Sequence, residues 1–250
     1  MPAERRGPGL FVTGTDTGVG KTMVAAGLAR FFSRCGLTVG VMKPCETGVV
    51  DVGQPGADAR LLRWAAGSRD SDELLAPYRL QAPLAPSAAA KQAGTIIDPQ
   101  HISSCYDQVS AGKDLMIVEG AGGLMVPLRG GYLVADLVRQ LKMPLLVVAR
   151  PALGTVNHTL LTVFAARAME LPLAGIILNR MPAQPGLAAA EAPHQLASLA
   201  STDLLGVLPE VAGTPEVQIE RLSEIIAGLP TLPWLLTSLG ITLPSRTRPR

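Results

Sequence analysis

The chain has 250 residues, 48% of them hydrophobic and 17% charged, which suits one sizeable domain with a substantial core. A net charge of +2 removes the electrostatic case for nucleic acid or an anionic membrane as the main partner. Three scattered cysteines with no CxxC pair speak against a disulfide framework or a zinc site, and no apolar run approaches the ~18 residues of a membrane span, so a reducing cytoplasm is expected.

Arginines near the two ends (Arg5, Arg6, Arg246, Arg248 and Arg250) read as solvated tails. Between them six short apolar runs are expected to be strands: "GLFVTG", "LTVGVMK", "DLMIVEG", "PLLVVA", "LAGIILN" and "DLLGVLP". Most lack period-2 alternation, as expected of strands buried on both faces of a parallel sheet. Segments with helical spacing lie between them, at residues 21–35, 57–66, 99–111, 132–141, 155–170 and 187–200. This alternation predicts an α/β fold, an open, doubly wound, mostly parallel sheet with helices on both faces. Right-handed crossovers then bring the C-terminal ends of the strands to one edge, where loops can build a site. Ala/Pro-rich runs at 82–94 and 181–193 read as loops leading into helices. A single domain is expected over 1–228. The proline-punctuated tail, 229–250, is expected to pack on it, with Trp234, Leu235 and Leu236 exposed.

The first strand runs into "FVTGTDTGVGKT", residues 11–22, and then into an alanine-rich helix. Gly18, Val19 and Gly20 let successive backbone N–H groups converge on a phosphate, and the helix N-terminus adds donors and a positive dipole end. Lys21 is placed to reach the outer phosphates and Thr22 to face Mg²⁺, a P-loop NTPase-like arrangement that calls for a nucleoside triphosphate. The spacing is a variant of GxxxxGK[ST], because Thr15 stands where the first glycine belongs and Gly14 lies one residue further out.

A nucleotide with Mg²⁺ needs further hard oxygen ligands. Glu119 ends the strand of "LMIVEGAGG" on the same edge, as a metal-holding acid or as a cap for the next turn. Asp58 in "GADARLL" opens a helix and reads equally as an N-cap. Lys43 ends the second strand, where a buried ammonium needs an anion. With Lys21 it would clamp a transferring phosphoryl group, and Thr47 follows in a turn able to reach substrate. In "GTVNHTLLT", Thr155 and Asn157 serve either as N-caps or beside helix amides that receive a carboxylate. His158 lacks metal-ligand spacing to His101 or His194 and reads as structural. Asn179 suits either a purine edge or loop capping.

Taken in order, "FVTGTDTGVGKT", "MKPCETG", "DARLL", "VEGAGGLMVPL", "GTVNHTLLT", "AGIILNRM" and "LLGVLPEV" resemble the dethiobiotin synthetase family from about residue 10 to residue 216. These are ATP-dependent enzymes that close the ureido ring in biotin synthesis. The resemblance implies ring closure of 7,8-diaminopelargonate with CO₂, through a carbamate and a mixed carbonic–phosphoric anhydride. It gives Lys21 and Lys43 catalytic roles and assigns Thr17 and Thr47 to substrate. Mg²⁺ falls to Thr22, Asp58 and Glu119. Gly18, Val19, Gly20, Met23, Gly120, Ala121 and Gly122 fall to the nucleotide, as do Asn179, Arg180, Pro209, Glu210, Val211 and Glu216. The family is homodimeric, with the substrate carboxylate at the subunit interface on the segment matching Gly154, Thr155 and Asn157.

Gly18 stands where some members have Glu, and Thr47 where some have Ser. The alternative is a nucleotide-switch ATPase of the partition or septum-placement type. Those usually place lysine where Asp16 stands, and many carry a basic or membrane-targeting surface. An iron–sulfur carrier of this fold would need a cysteine pair, and a cobyric acid-type amidotransferase would need a further glutaminase domain.

Overall fold

The computed structural model describes residues 7–244, so the terminal arginines read as tails lie outside the described residues. The chain begins with β1 (Gly9–Gly14), α1 (Lys21–Arg34), β2 (Val39–Met42), β3 (Cys45–Thr47) and α2 (Ala57–Ala66). Next come α3 (Asp72–Leu75), β4 (Tyr78–Leu80), α4 (Pro86–Gln92) and α5 (Pro99–Ser110). The middle holds β5 (Leu115–Gly123), β6 (Pro127–Arg129), β7 (Tyr132–Leu133), α6 (Val134–Leu141) and β8 (Leu145–Ala149). The remainder is α7 (Thr155–Ala168), β9 (Leu173–Met181), α8 (Leu187–Leu199), β10 (Leu204–Pro209), α9 (Pro215–Ala227) and α10 (Leu232–Leu239).

The six expected strands form one parallel sheet in the order β10-β9-β8-β1-β5-β2. Their composition explains the layering. Leu10, Val12, Leu115 and Ile117 face a core built with α1, α2, α9 and α10. Phe11, Met116 and Val118, one residue out of phase, face a second core with α5, α6 and α7. Each strand is apolar on both sides because both sides are covered. The result is a three-layer α/β fold with β1 between β5 and β8, so the glycine turn after β1 lies amid the C-terminal ends of its neighbours.

Several elements differ from expectation. The 82–94 run contains α4, while the helix expected at 187–200 forms as α8 and takes in the second half of the 181–193 run, Pro193 included, held by its buried stripe Ala189, Ala192 and Leu196. Tyr132 and Leu133 pair with β6 rather than opening α6. In the tail, α10 buries Leu235 and Leu239 in the α1/α9 core, and of the three residues expected outside Trp234 is exposed. Among the described residues no single helix is long and apolar enough to cross a membrane. The α9–α10 pair meets that length only across a 92° bend, and its Leu222, Ile226, Leu235 and Leu239 are core residues.

Candidate active site

The turn after β1 is shaped from beneath by β9. Gly20 caps α1 with φ 90, and a Cβ there would stand 2.1 Å from the Asn179 amide nitrogen. That nitrogen, on a buried side chain, donates to the carbonyls of Val19 at 3.1 Å and Gly20 at 3.5 Å. Of the two uses open to Asn179, the amide serves the loop here. Next to it Arg180 donates to the Gly18 carbonyl at 3.1 Å. Lys21 reaches back to the Asp16 carbonyl at 3.1 Å, and the Asp16 carboxylate accepts from the Thr17 amide at 2.7 Å.

Charges from four separate elements meet above this loop. The Lys43 ammonium at the end of β2 lies 2.6 Å from Glu119 Oε1 and 2.8 Å from Asp58 Oδ2, and donates to the Gly120 carbonyl at 3.3 Å. Glu119 Oε1 also accepts from the Thr22 hydroxyl at 2.8 Å, while the buried Oε2 has no hydrogen-bond partner. Asp58 does not cap its helix: Gly56 is the N-cap of α2, and the Asp58 carboxylate turns to Lys43. Neither does Glu119 cap the following turn.

Burial opposes charge at every one of these groups. At Lys43 the Glu119 and Asp58 carboxylates outweigh it and hold the ammonium above the ordinary lysine range. At Lys21 burial prevails, aided by the Lys43 ammonium, and the group titrates lower than usual. At Asp58 burial is overcome by Lys43, assisted by Thr22, and the carboxyl is held low. At Glu119 burial keeps the carboxyl above its usual range despite Lys43.

These side chains line one cavity of about 370 Å³. Thr17, Gly18, Gly20, Met23 and Thr47 share it with the charged cluster, as do Ala121, Gly122 and Arg180. Three further lining residues, Cys45, Glu46 and Leu61, were not expected. The Cys45 thiol is buried, and burial pushes it up to about 12, which leaves it inert. A carboxylate immediately before the proposed loop hydroxyl, Thr47, was a usable signal for Glu46, but nothing local says what it faces.

Gly154, Thr155 and Asn157 line a different cavity of about 660 Å³, between α7 and α8. Neither Thr155 nor Asn157 is an N-cap, since Gly154, at φ 90, takes that place without a side-chain bond. The Thr155 hydroxyl is buried without a partner. Pro209 ends β10 and Glu210 and Val211 follow it on the site edge of the sheet, with the Glu210 amide donating to the Met181 carbonyl at 2.8 Å. Glu216 is exposed in the first turn of α9.

A family model described as an AAA domain matches residues 8–217. The ATP-dependent dethiobiotin synthetase BioD of Bacillus subtilis (strain 168) is 38% identical over 93% of this chain and 99% of its own length. That of Anaeromyxobacter dehalogenans (strain 2CP-C) is 45% identical over 80% of this chain and 89% of its own. The chain belongs to the dethiobiotin synthetase family. Among solved structures, a ParA family ATPase from Chlorobium tepidum TLS superposes with TM-score 0.56 at 16% identity, covering 93% of this chain and 99% of that one. The MinD cell division protein of Aquifex aeolicus gives 0.54 at 15%, covering 95% and 99%. At such identities the likeness shows the shared fold alone.

The donor set of this dethiobiotin synthetase relative suits Mg²⁺. Among the described residues no group of three or more His, Cys, Asp or Glu side chains is gathered for a metal. Mg²⁺ is typically held by one or two carboxylates together with substrate phosphates, and the unpartnered Glu119 Oε2, Asp58 and the Thr22 hydroxyl fit that mode.

Proposed function

We propose that this chain catalyses the ATP- and Mg²⁺-dependent closure of 7,8-diaminopelargonate with CO₂ to dethiobiotin, releasing ADP and phosphate. The carrying observation is the convergence of Lys21, Lys43, Thr22, Asp58 and Glu119 on one cavity beside the glycine turn. One substrate amine takes up CO₂ as a carbamate and releases a proton. A carbamate oxygen attacks the γ-phosphorus of ATP and expels ADP. The second amine then attacks the carbonyl carbon, phosphate leaves with the bonding pair, and a second proton is released as the ring closes.

Lys21 and Lys43, both buried, hold positive charge where the transferring phosphoryl group spreads negative charge, and preorganised charge of this kind carries most of such catalysis. Thr22, Asp58 and Glu119 would hold Mg²⁺, which when bound neutralises and orients the phosphates. Thr17 and Thr47 orient the diamine. Arg180 and the loop at 209–211, with Asn179 and Glu216, are assigned to adenine and ribose. The substrate carboxylate is assigned to the cavity at the start of α7. There the Thr155 hydroxyl and the helix end offer donors to an anion.

A homodimer with the substrate at its interface is supported by exposed apolar side chains around that cavity and along α7. Leu153 is 91% exposed, Phe164 70% and Leu187 88%. A cytoplasmic setting is supported by the lack of a disulfide among the described residues.

The deciding experiment supplies purified protein with 7,8-diaminopelargonate, bicarbonate and MgATP and follows dethiobiotin by mass spectrometry. Stoichiometric dethiobiotin and phosphate are expected. ATP hydrolysis stimulated by DNA or lipid vesicles, with no dethiobiotin formed, would instead favour a partition-type ATPase.

A further inference from the structure

The helix that carries Asp58 has no cap of its own. Its N-cap residue is Gly56, and no side chain from the helix start satisfies the first amides. The acceptor comes from β3: Glu46 Oε1 accepts from the Asp58 amide at 2.8 Å, and Oε2 from the Ala59 amide at 3.4 Å. Glu46 is 5% exposed, and burial, with the nearby Asp58 carboxylate, holds its carboxyl above the usual range, while those amides and the positive end of the helix work to offset that cost. Gly56 makes room for it, since a Cβ there would stand 2.2 Å from Glu46 Oε1.

The Asp58 side chain is 38% exposed, and packing alone does not fix its direction. Its carboxylate meets Lys43 at 2.8 Å, and the first turn of α2 that carries it is bonded to Glu46. We propose that Glu46 is a positioning residue, which anchors the start of α2 from β3 and so sets Asp58 against Lys43 and the metal side of the nucleotide. This rests on the metal-holding role given to Asp58 above.

The test is calorimetric titration of the intact protein with ATP, once with Mg²⁺ and once with chelator. It compares the unchanged chain with Glu46→Ala, Glu46→Gln, Gly56→Ala, Asp58→Asn and the Glu46→Ala/Gly56→Ala double variant. Glu46→Ala is expected to weaken MgATP binding about tenfold, the loss typical of an outer-shell partner, and to leave metal-free ATP binding unchanged. Glu46→Gln keeps an acceptor oxygen and should recover most of the affinity. Gly56→Ala should reproduce the loss by displacing the carboxylate, and should cost little more once Glu46 is already alanine. If Glu46→Ala does not fold, Gly56→Ala and Glu46→Gln carry the comparison. Equal losses with and without Mg²⁺, or no loss while Asp58→Asn shows one, would overturn the proposal and leave the Asp58 assignment intact. An Asp58→Asn variant that binds MgATP normally would remove the Asp58 role itself, and the Glu46 proposal with it.

Discussion

Lys43 and Glu119 meet at 2.6 Å with side chains only 4% and 1% exposed, so each is the other's main compensation for lost water. Removing one partner of a buried pair typically costs about 3–5 kcal/mol. Lys43→Ala should therefore abolish dethiobiotin formation and also lower the urea midpoint. Adding Glu119→Gln should restore much of the stability and none of the turnover. Normal turnover in Lys43→Ala would take Lys43 out of the mechanism.

The two lysines should separate on the alkaline side. Lys21 is held low by burial and by the Lys43 ammonium, and it loses its proton before an ordinary lysine would. Lys43, despite burial, is held high by Glu119 and Asp58 and keeps its charge through that range. The alkaline limb of kcat/KM for ATP, which reports the free protein, should thus lie below the ordinary lysine value of 10.5. A limb at or above that value contradicts the assignment to Lys21.

Asn179 should matter before any nucleotide binds. Its buried amide donates to the carbonyl of buried Val19 and, at longer range, to that of Gly20, which also accepts from the Val24 amide; leaving one buried acceptor unsatisfied costs about 1–3 kcal/mol. Asn179→Ala should lower Tm by several degrees in the absence of ATP, at about 2–4 °C per kcal/mol for a domain of this size. A variant with unchanged Tm and weakened ATP binding would make Asn179 a nucleotide contact only.

Leu161 and Phe164 on α7 are 58% and 70% exposed. If a second copy covers them, Phe164→Glu should give a monomer by light scattering and raise KM for the diamine while ATP affinity stays unchanged. A wild-type monomer that is fully active would dispose of the shared-site arrangement.

The central sheet was legible in the sequence because strands covered on both sides need apolar residues at consecutive positions, as in "LFV" and "LMIV". Lys21, Thr22 and Glu119 were legible for a related reason, since each sits at a fixed offset from the end of such a run. What escaped notice depended on partners remote in sequence. Glu46 drew no role from the sequence, because the amides it caps belong to α2. Asp58, Thr155 and Asn157 read equally as caps or as site residues, and the cap reading fails because glycines take those places. Pro193 ended a run expected to be loop and also lay within the helix expected at 187–200; the helix prevails because burial of Ala192 and Leu196 outweighs one missing helix hydrogen bond. The tail leucines of α10 found cover on α1 and α9, which no local pattern reveals.

The hold of Asn179 on Val19 and Gly20 has a kinetic corollary. A phosphate cradle already in its final shape gives up little conformational freedom when it captures its guest. Capture should accordingly be a single fast phase limited by encounter and by shedding of phosphate hydration, with no slow rearrangement of the turn behind it.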